Sequence, residues 1–487
     1  MGEQAAFGGQ HHVGAEAAAP LQFDEVQHAA LGRLPTCLLD ASPPDEKSEA
    51  ALGRCSVGDQ PLIKHNDYHS EDLVIAGICY LFYMMSEKLT FTRNPSSELV
   101  DDFLLYMQNY QHVLALEFAI KEINENSRIL PNITLGIHIS NSYNLARWIY
   151  LASMEFLSTK GRFIPNYKCD FKDNVISVIT GHNAYIGHFM SNILSIYKIP
   201  QLLYGSTMET DDNIQAAYFH QLFPDEDLQI IGIIQLLLHF DWKWIGLIIQ
   251  SSERAKSFIQ NRLDMFSQKG ICFDFIEQMP SDTVTNDIEV QLNGFFMIYQ
   301  VIMRSSANVV IIYCENEAMA ALKMVPFVSE YVDTPVKRKD KVWIMPAQME
   351  FTSIPFQRTR GVDFIHGALS LAVSSKEMLG FQKFIQMRKP SSEEEEASLI
   401  RLFWEYAFEC SFPNAGLDED SDNECTGEET LETLPKVLFR SSISGQSYSI
   451  YNAVYAVAHA LQAMLSSKSR KRGHSWELKT LNQQSWQ

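Results

Sequence analysis

None of the signatures that usually carry catalysis occurs in this chain. It has no nucleotide-binding glycine loop, P-loop, HExxH pair or GxSxG elbow, so the expectation is a protein that binds and not an enzyme. Its eight cysteines (Cys37, Cys55, Cys79, Cys169, Cys272, Cys314, Cys410 and Cys425) never fall in a CxxC pair. That removes the usual zinc and thioredoxin readings and leaves disulfides or buried thiols. Long apolar runs are missing too. The longest, residues 73–85, has 13 residues where a bilayer-spanning helix needs about 20, so it reads as a buried strand. The apolar region 230–249 is broken by His239, Asp241 and Lys243 and reads as a helix, a turn and a strand. Basic residues are outnumbered, 39 against 59 acidic, for a net charge of −20. A phosphate backbone wants a basic face, so no nucleic acid is expected as a partner. Residues 1–54, rich in Ala, Gly, Pro and charge, hold none of the continuous apolar stretch that a signal peptide requires. They read as a disordered lead. No internal repeat is visible.

What remains is a globular composition: 46% hydrophobic, 11% aromatic, mean hydropathy −0.11. At 487 residues one core is too few, and two or three lobes are expected. Residues 110–136 begin as a helix. Val113, Leu116, Ile120 and Ile123 share one face, Glu117 and Lys121 are spaced for an i,i+4 pair on the wet side, and Pro131 forbids continuation. Asn132-Ile133-Thr134 is a glycosylation sequon, which has physical meaning only on a secreted chain. Further on, strands are expected at 173–180, 201–204, 244–249, 307–313 and 341–345. Helices are expected at 185–197, 227–240, 255–270 and 317–328. This alternation implies parallel sheets covered on both faces, with ligands at the strand carboxyl ends.

The segments YQHVLALEFAIKEINENSRILPNITLG (110–136), GRFIPNYKCD (161–170), IYKIPQLLYGS (196–206), FPDEDLQIIGIIQLLLHFDWKWIG (223–246), KVWIMPAQMEFTSIPFQR (341–358), LGFQKFIQMR (379–388) and YSIYNAVYAVAHALQAM (448–464) follow an order that chance does not supply. They resemble the Venus-flytrap ligand-binding domain of class C G-protein-coupled receptors, specifically vomeronasal type-2 receptors, from about Cys55 to Gln487. The resemblance implies an α/β, bilobed, periplasmic-binding-protein-like fold of two Rossmann-like lobes. Lobe 1 would comprise 55–237 and 367–487, and lobe 2 would comprise 238–366. In the family a last lobe 2 segment, a cysteine-rich domain and seven transmembrane helices follow. A truncated or mispredicted gene product, its N-terminus standing in place of a genuine leader, is therefore the expectation, with a shortened secreted isoform the less favoured account.

The same resemblance assigns roles. Cys410 and Cys425 match a local disulfide, Cys272 a bridge to the cysteine-rich domain, and Cys169 a subunit cross-link, although a loop thiol serves as well there. Cys314 reads as a buried hydrophobe. Asp418, Asp420, Asp422, Glu424, Thr426 and Glu429 fall on an EF-hand spacing, but Asn423 stands where glycine is needed and Cys425 tethers the loop. A solvated acidic loop is the better reading, so neither a metal nor any other cofactor is expected. Glu393–Glu396 reads as an exposed charge run, and KSRKR (468–472) as a loop after a helix.

In amino-acid-sensing relatives, lobe 1 hydroxyls and amides hold the ligand carboxylate while an aromatic and an acid from lobe 2 close on its amine. Here Ser206 and Thr207 keep one lobe 1 loop. The other departs: it reads Gly181, His182, Asn183, Ala184 and Tyr185, with Ala184 where a serine is expected. Arg254 takes the place of the aromatic, Ala347 that of the acid, and His112 the basic position of the first helix. Ala347 leaves no local carboxylate for a ligand ammonium, so peptides or small proteins are expected in place of free amino acids. Ile186, Phe189, Met190, Ile193 and Leu194 line the helix that pairs subunits in the family, although such a stripe more often packs on its own sheet. The expected function is the ligand-sensing module of a chemosensory receptor. Such a receptor is dimeric through lobe 1, reaches a G protein through its membrane domain, and faces outward at the plasma membrane. The rivals are a stand-alone secreted carrier or decoy, and an amidase-like enzyme on the same fold.

Overall fold

The computed structural model describes residues 66–84, 103–158, 174–181, 184–206, 218–250, 253–279, 288–316, 318–323, 339–352, 365–390, 398–412 and 424–472. The lead 1–54 and Cys37, Cys55, Cys169, His182, Asn183, Thr207, Glu393–Glu396 and Asp418–Asn423 lie outside the described residues, as does the side chain of Arg254.

Two parallel sheets organise the chain. The first contains β1 (Asn66–His69), β2 (Leu73–Cys79), β5 (Leu135–Asn141), β6 (Asn174–Thr180), β7 (Gln201–Leu203) and β8 (Phe219–Gln221), in the order β1-β5-β2-β6-β7-β8. Only β1 runs antiparallel. Every residue of β2 is buried, which is why its sequence shows no polar alternation. After β2 a hairpin of β3 (Phe82–Met84) and β4 (Phe103–Leu105) leads into α1 (Tyr110–Glu125).

The expected stripe of α1 is buried, and so are Leu114, Ala115, Phe118 and Ala119, because the long helix α10 (Gly445–Arg472) covers its other side. The Glu117–Lys121 pair does not form. Glu117 takes a guanidinium instead, with Arg388 Nε 3.1 Å from Oε2 and Nη2 3.3 Å from Oε1, and Lys121 turns to Glu125 at 4.0 Å. A planar two-pronged donor outcompetes a lysine one turn away. The helix ends at Glu125, before Pro131, and Leu130 and Asn132 turn the chain with positive φ. Helix α10 also corrects the reading of KSRKR, since Lys468–Arg472 are its last turn. No Gly or Pro interrupts that stretch, and Lys and Arg are good helix formers.

The second sheet, in the order β10-β9-β11-β12-β13, is parallel throughout. It comprises β9 (Trp244–Gln250), β10 (Cys272–Met279), β11 (Val309–Tyr313), β12 (Val342–Met345) and β13 (Leu369–Ser370). One face, with Ile248, Val310, Ile312 and Trp343, is covered by Phe295, Tyr299 and Ile302 of α7 (Ile288–Arg304). The other face carries Ile245, Leu247, Val309 and Ile311. It packs with Ile230, Ile233, Ile234 and Leu237 of α4 (Glu226–His239), Phe258 of α5 (Glu253–Asn261) and Phe266 of α6 (Leu263–Ser267). The single helix expected over 255–270 is thus two, broken at Arg262. The boundary expected at 237/238 cuts through α4, whose buried side chains belong to the core of the second sheet. The remaining helices, α2 (Ala146–Phe156), α3 (Ala184–Leu194), α8 (Phe381–Met387) and α9 (Leu399–Phe408), pack with the first sheet. Among the described residues no helix is long and apolar enough to cross a membrane.

Candidate ligand cleft

Chain segments leaving the carboxyl ends of both sheets meet each other. Ser206, three residues beyond β7, is 1% exposed. Its hydroxyl lies 2.8 Å from both carboxylate oxygens of Glu315, just beyond β11. Glu315 is in turn positioned by its backbone N–H, which donates to Gln250 Oε1 at 2.9 Å at the end of β9. A second contact joins His112 to Glu350, which follows β12, with Nε2 3.5 Å from Oε2. The imidazole is 3% exposed and sits edge-on to Tyr204, ring centroids 5.2 Å apart. Burial first, then Cys79 and Glu350, holds the Tyr204 phenol well above its usual range, so it stays neutral. A third contact runs from Gln446 Nε2, in the first turn of α10, to Gln348 O at 3.3 Å.

The turn that leads into α1, with the first residues of the helix, explains how these groups are held. Gln108, Asn109 and Gln111 are polar yet buried, so each must find partners. Asn109 Nδ2 donates to Tyr80 O at 2.7 Å. Gln108 Oε1 accepts from Arg440 N at 2.8 Å. Gln111 Nε2 donates to Arg440 O and Ser442 O at 2.6 and 2.9 Å, and its Oε1 accepts from Ser444 N and Ser447 Oγ. The helix that carries His112 is thereby fastened to the loop that carries Arg440.

Arg440 and Lys323 flank one ring. Lys323 Nζ stands 3.6 Å from the Phe351 centroid and donates to Thr352 O at 2.7 Å, and the Arg440 guanidinium lies 4.9 Å from the same ring. Lys323 is 1% exposed. Burial, with the Arg440 charge second, pushes its ammonium down to about 7. Along the same stretch Gln348 Oε1, Glu350 Oε2 and Thr352 Oγ1, with Gln446 Oε1 opposite, are buried without a hydrogen-bond partner among the described residues. The three acceptors at 348, 350 and 352 lie on the short segment that leaves β12 through a turn, Met349 N donating to Pro346 O at 3.2 Å.

Against this geometry the expected residues fall into groups. His112 and Ser206 are in the seam. Ala347 is buried near it but offers no side chain, and its N–H is taken by Gln229 Oε1 at 2.9 Å. Ala184 is buried as the first residue of α3, whereas Tyr185 is 41% exposed and packs on Phe189 at 4.6 Å. Arg254 belongs to α5. Two carboxylates absent from the expected set, Glu350 and Glu315, also reach the seam. Their signal was present in YCENE and MPAQME, but sequence reading looked for the acid at one fixed position.

Outside the seam, Cys410 and Cys425 are disulfide-bonded, and Cys79 and Cys314 are buried while Cys272 is exposed. Glu429 Oε1 accepts from Thr426 N and Oγ1 at 2.7 and 2.8 Å. Partial burial raises its carboxyl, but these bonds and others from nearby backbone outweigh that and take it down to about 2. Among the described residues no three His, Cys, Asp or Glu side chains are set to hold a metal. On α3, Ile186, Met190 and Leu194 pack inward, and Phe189 and Ile193 remain half-buried.

The family known as the receptor family ligand binding region matches residues 111–487. The chain belongs to that family. It is 28% identical over 410 residues to vomeronasal type-2 receptor 26 of Mus musculus, covering 82% of this chain and 46% of that receptor. Its identity to the extracellular calcium-sensing receptor of Homo sapiens is 22% over 419 residues, 80% of this chain and 37% of the receptor. Its identity to taste receptor type 1 member 2 of Gorilla gorilla gorilla is 24% over 438 residues, 86% of this chain and 48% of the receptor. The chain therefore spans under half the length of the relatives it matches. For a member of the ligand-binding-region family, the seam between the two sheets is the expected location of a binding site, since both sets of strand carboxyl ends open there.

Proposed function

We propose that this chain is the ligand-sensing module of a chemosensory class C receptor, with a two-lobed cleft that closes on a peptide or small-protein ligand. The observation that carries the reading is the pair of bridges between opposed strand ends, Ser206–Glu315 and His112–Glu350. Such contacts exist in a closed arrangement and part in an open one, so a ligand that favours one arrangement shifts the population. One feature supports a peptide over a free amino acid: the acceptors at 348, 350 and 352 suit a ligand bearing several N–H groups.

In this reading the receptor is dimeric through the outer face of α3, where Tyr185 is exposed, Phe189 and Ile193 are half-buried, and Ile196 just beyond is 71% exposed. Asn132, exposed in the turn after α1, carries glycan on the outer side of the plasma membrane, and a G protein is engaged through membrane-spanning segments. The test is energy transfer between dyes placed on α8 and α7, one beside each sheet, in the full chain. Synthetic C-terminally amidated peptides are compared with the free amino acids. A saturable rise in transfer with at least one peptide supports the proposal. Saturable binding without any change in transfer would sink the closing mechanism, and closure by free amino acids alone would sink the ligand class.

A further inference from the structure

We infer that Glu315 is a specificity-determining residue of this cleft, a built-in carboxylate that occupies Ser206 and so turns away ligands presenting a free carboxylate there. The inference rests on the cleft reading above and adds which ligand chemistry the cleft refuses. A serine hydroxyl has a single proton to donate. With both Glu315 oxygens 2.8 Å from Ser206 Oγ, that proton already serves an ionisable partner, the stronger kind of acceptor. The hydroxyl is buried, so it cannot serve a second anion by swinging into water.

Glu315 is not a stray surface acid that drifts into place. It leaves the end of β11 with its backbone N–H pinned by Gln250 Oε1 at the end of β9, so two neighbouring strands of the second sheet aim it at the first. An incoming carboxylate would meet a like charge at hydrogen-bond range and find the donor taken, and like-charge juxtaposition is an effective means of rejection. A neutral amide or a cationic group pays neither penalty. The seam thus tolerates a peptide's interior or an amine beside Glu315 and disfavours a terminal or α-carboxylate.

The probes are acetate and glycine, with sodium chloride at matched ionic strength as the control, on the full chain and on Glu315→Ala, Glu315→Gln and Ser206→Ala/Glu315→Ala. Equilibrium dialysis with labelled acetate reads binding, and small-angle scattering reads compactness. Wild type is expected to bind acetate no better than the double variant. Glu315→Ala should bind at least about tenfold more tightly, a difference of one charge-assisted contact, and acetate should return its radius of gyration to the wild-type value. Glu315→Gln keeps the shape and loses the charge. If Glu315→Ala fails to fold, Glu315→Gln carries the test with a smaller expected gain in acetate affinity, because the charge is gone while the amide oxygen can still accept from Ser206. Acetate binding by wild type equal to that of the folded Glu315 variants overturns the inference, as does a gain that survives in the double variant. Failure of peptides to close the wild-type cleft, by contrast, strikes the cleft reading and leaves the acetate result to stand or fall by itself.

Discussion

Replacing Lys323 by methionine tests the electrostatics of the seam without touching its shape. The Lys323 ammonium sits at about 7 in the folded chain and 10.5 when unperturbed. Between those values the unfolded chain holds a proton that the folded chain has released. Stability therefore rises with pH across that window, because the unfolded state binds more protons. Below about pH 7 both states are protonated, and the folded chain bears the whole burial cost. The gap corresponds to about 5 kcal/mol over the full window at 1.36 kcal/mol per unit, of which about half falls between pH 6 and pH 9.

Methionine has a similar length and no titratable group, but leaves Thr352 O without its donor, a loss of about 1–2 kcal/mol that does not depend on pH. The assay is urea unfolding at pH 6, 7, 8 and 9 with the disulfide intact, followed by the fluorescence of buried tryptophans such as Trp343 and Trp404. Relative to wild type, Lys323→Met should be most favourable at pH 6 and lose about 2–3 kcal/mol of that standing by pH 9. A difference between the two chains that stays flat across this range would refute the reasoning, since it would mean that the ammonium keeps its proton throughout.

Three further perturbations probe the scaffold. Phe403→Ala removes a fully buried ring stacked on Tyr110 at 4.1 Å and should cost about 3–5 kcal/mol in denaturant unfolding. Gly136→Ala places a methyl against His69 O and 3.1 Å from Glu71 N; because these are backbone atoms, β1 must shift. A loss of about 1–3 kcal/mol is expected, with faster amide exchange at Tyr68 and His69. Cys410→Ser opens a loop of sequence separation 15 and should cost about 3 kcal/mol on the loop-entropy estimate, an effect that disappears when both chains are compared under reducing conditions.

Much of this architecture was legible because burial leaves a periodic trace. The strands at 174–180, 201–203 and 244–250 and the helices at 184–194 and 226–239 announce themselves as short apolar runs and amphipathic stretches between turn residues. β10 and α7 are among the elements that escaped the reading. β10, at the edge of the second sheet, is only partly buried along most of its length and so carries a weak pattern. α7 was missed although Asn286 and Asp287, residue types that favour helix N-termini, stand directly before it. A helix ahead of KSRKR was read, but its end at Arg472 was not, because charge at a helix terminus and charge in a loop look alike along a sequence.

The seam was the harder part, and the reason is geometric. A residue-by-residue transfer asks what stands at a given alignment position, and by that measure Ala347 reports a missing acid. Between two sheets, however, a carboxylate delivered from one loop can do the work of another, because strand ends converge within a few ångströms while their sequence neighbours diverge. Glu350 reaches His112 across a sequence separation of more than 200 residues, and Glu315 reaches Ser206 across 109. Neither pairing has a local signature. Two carboxylates that a position-by-position comparison does not register thus reach the seam, each in contact with the protein itself. That difference separates a cleft lacking its acid from one whose acids are already engaged, and only the second predicts that removing a carboxylate creates an acetate site.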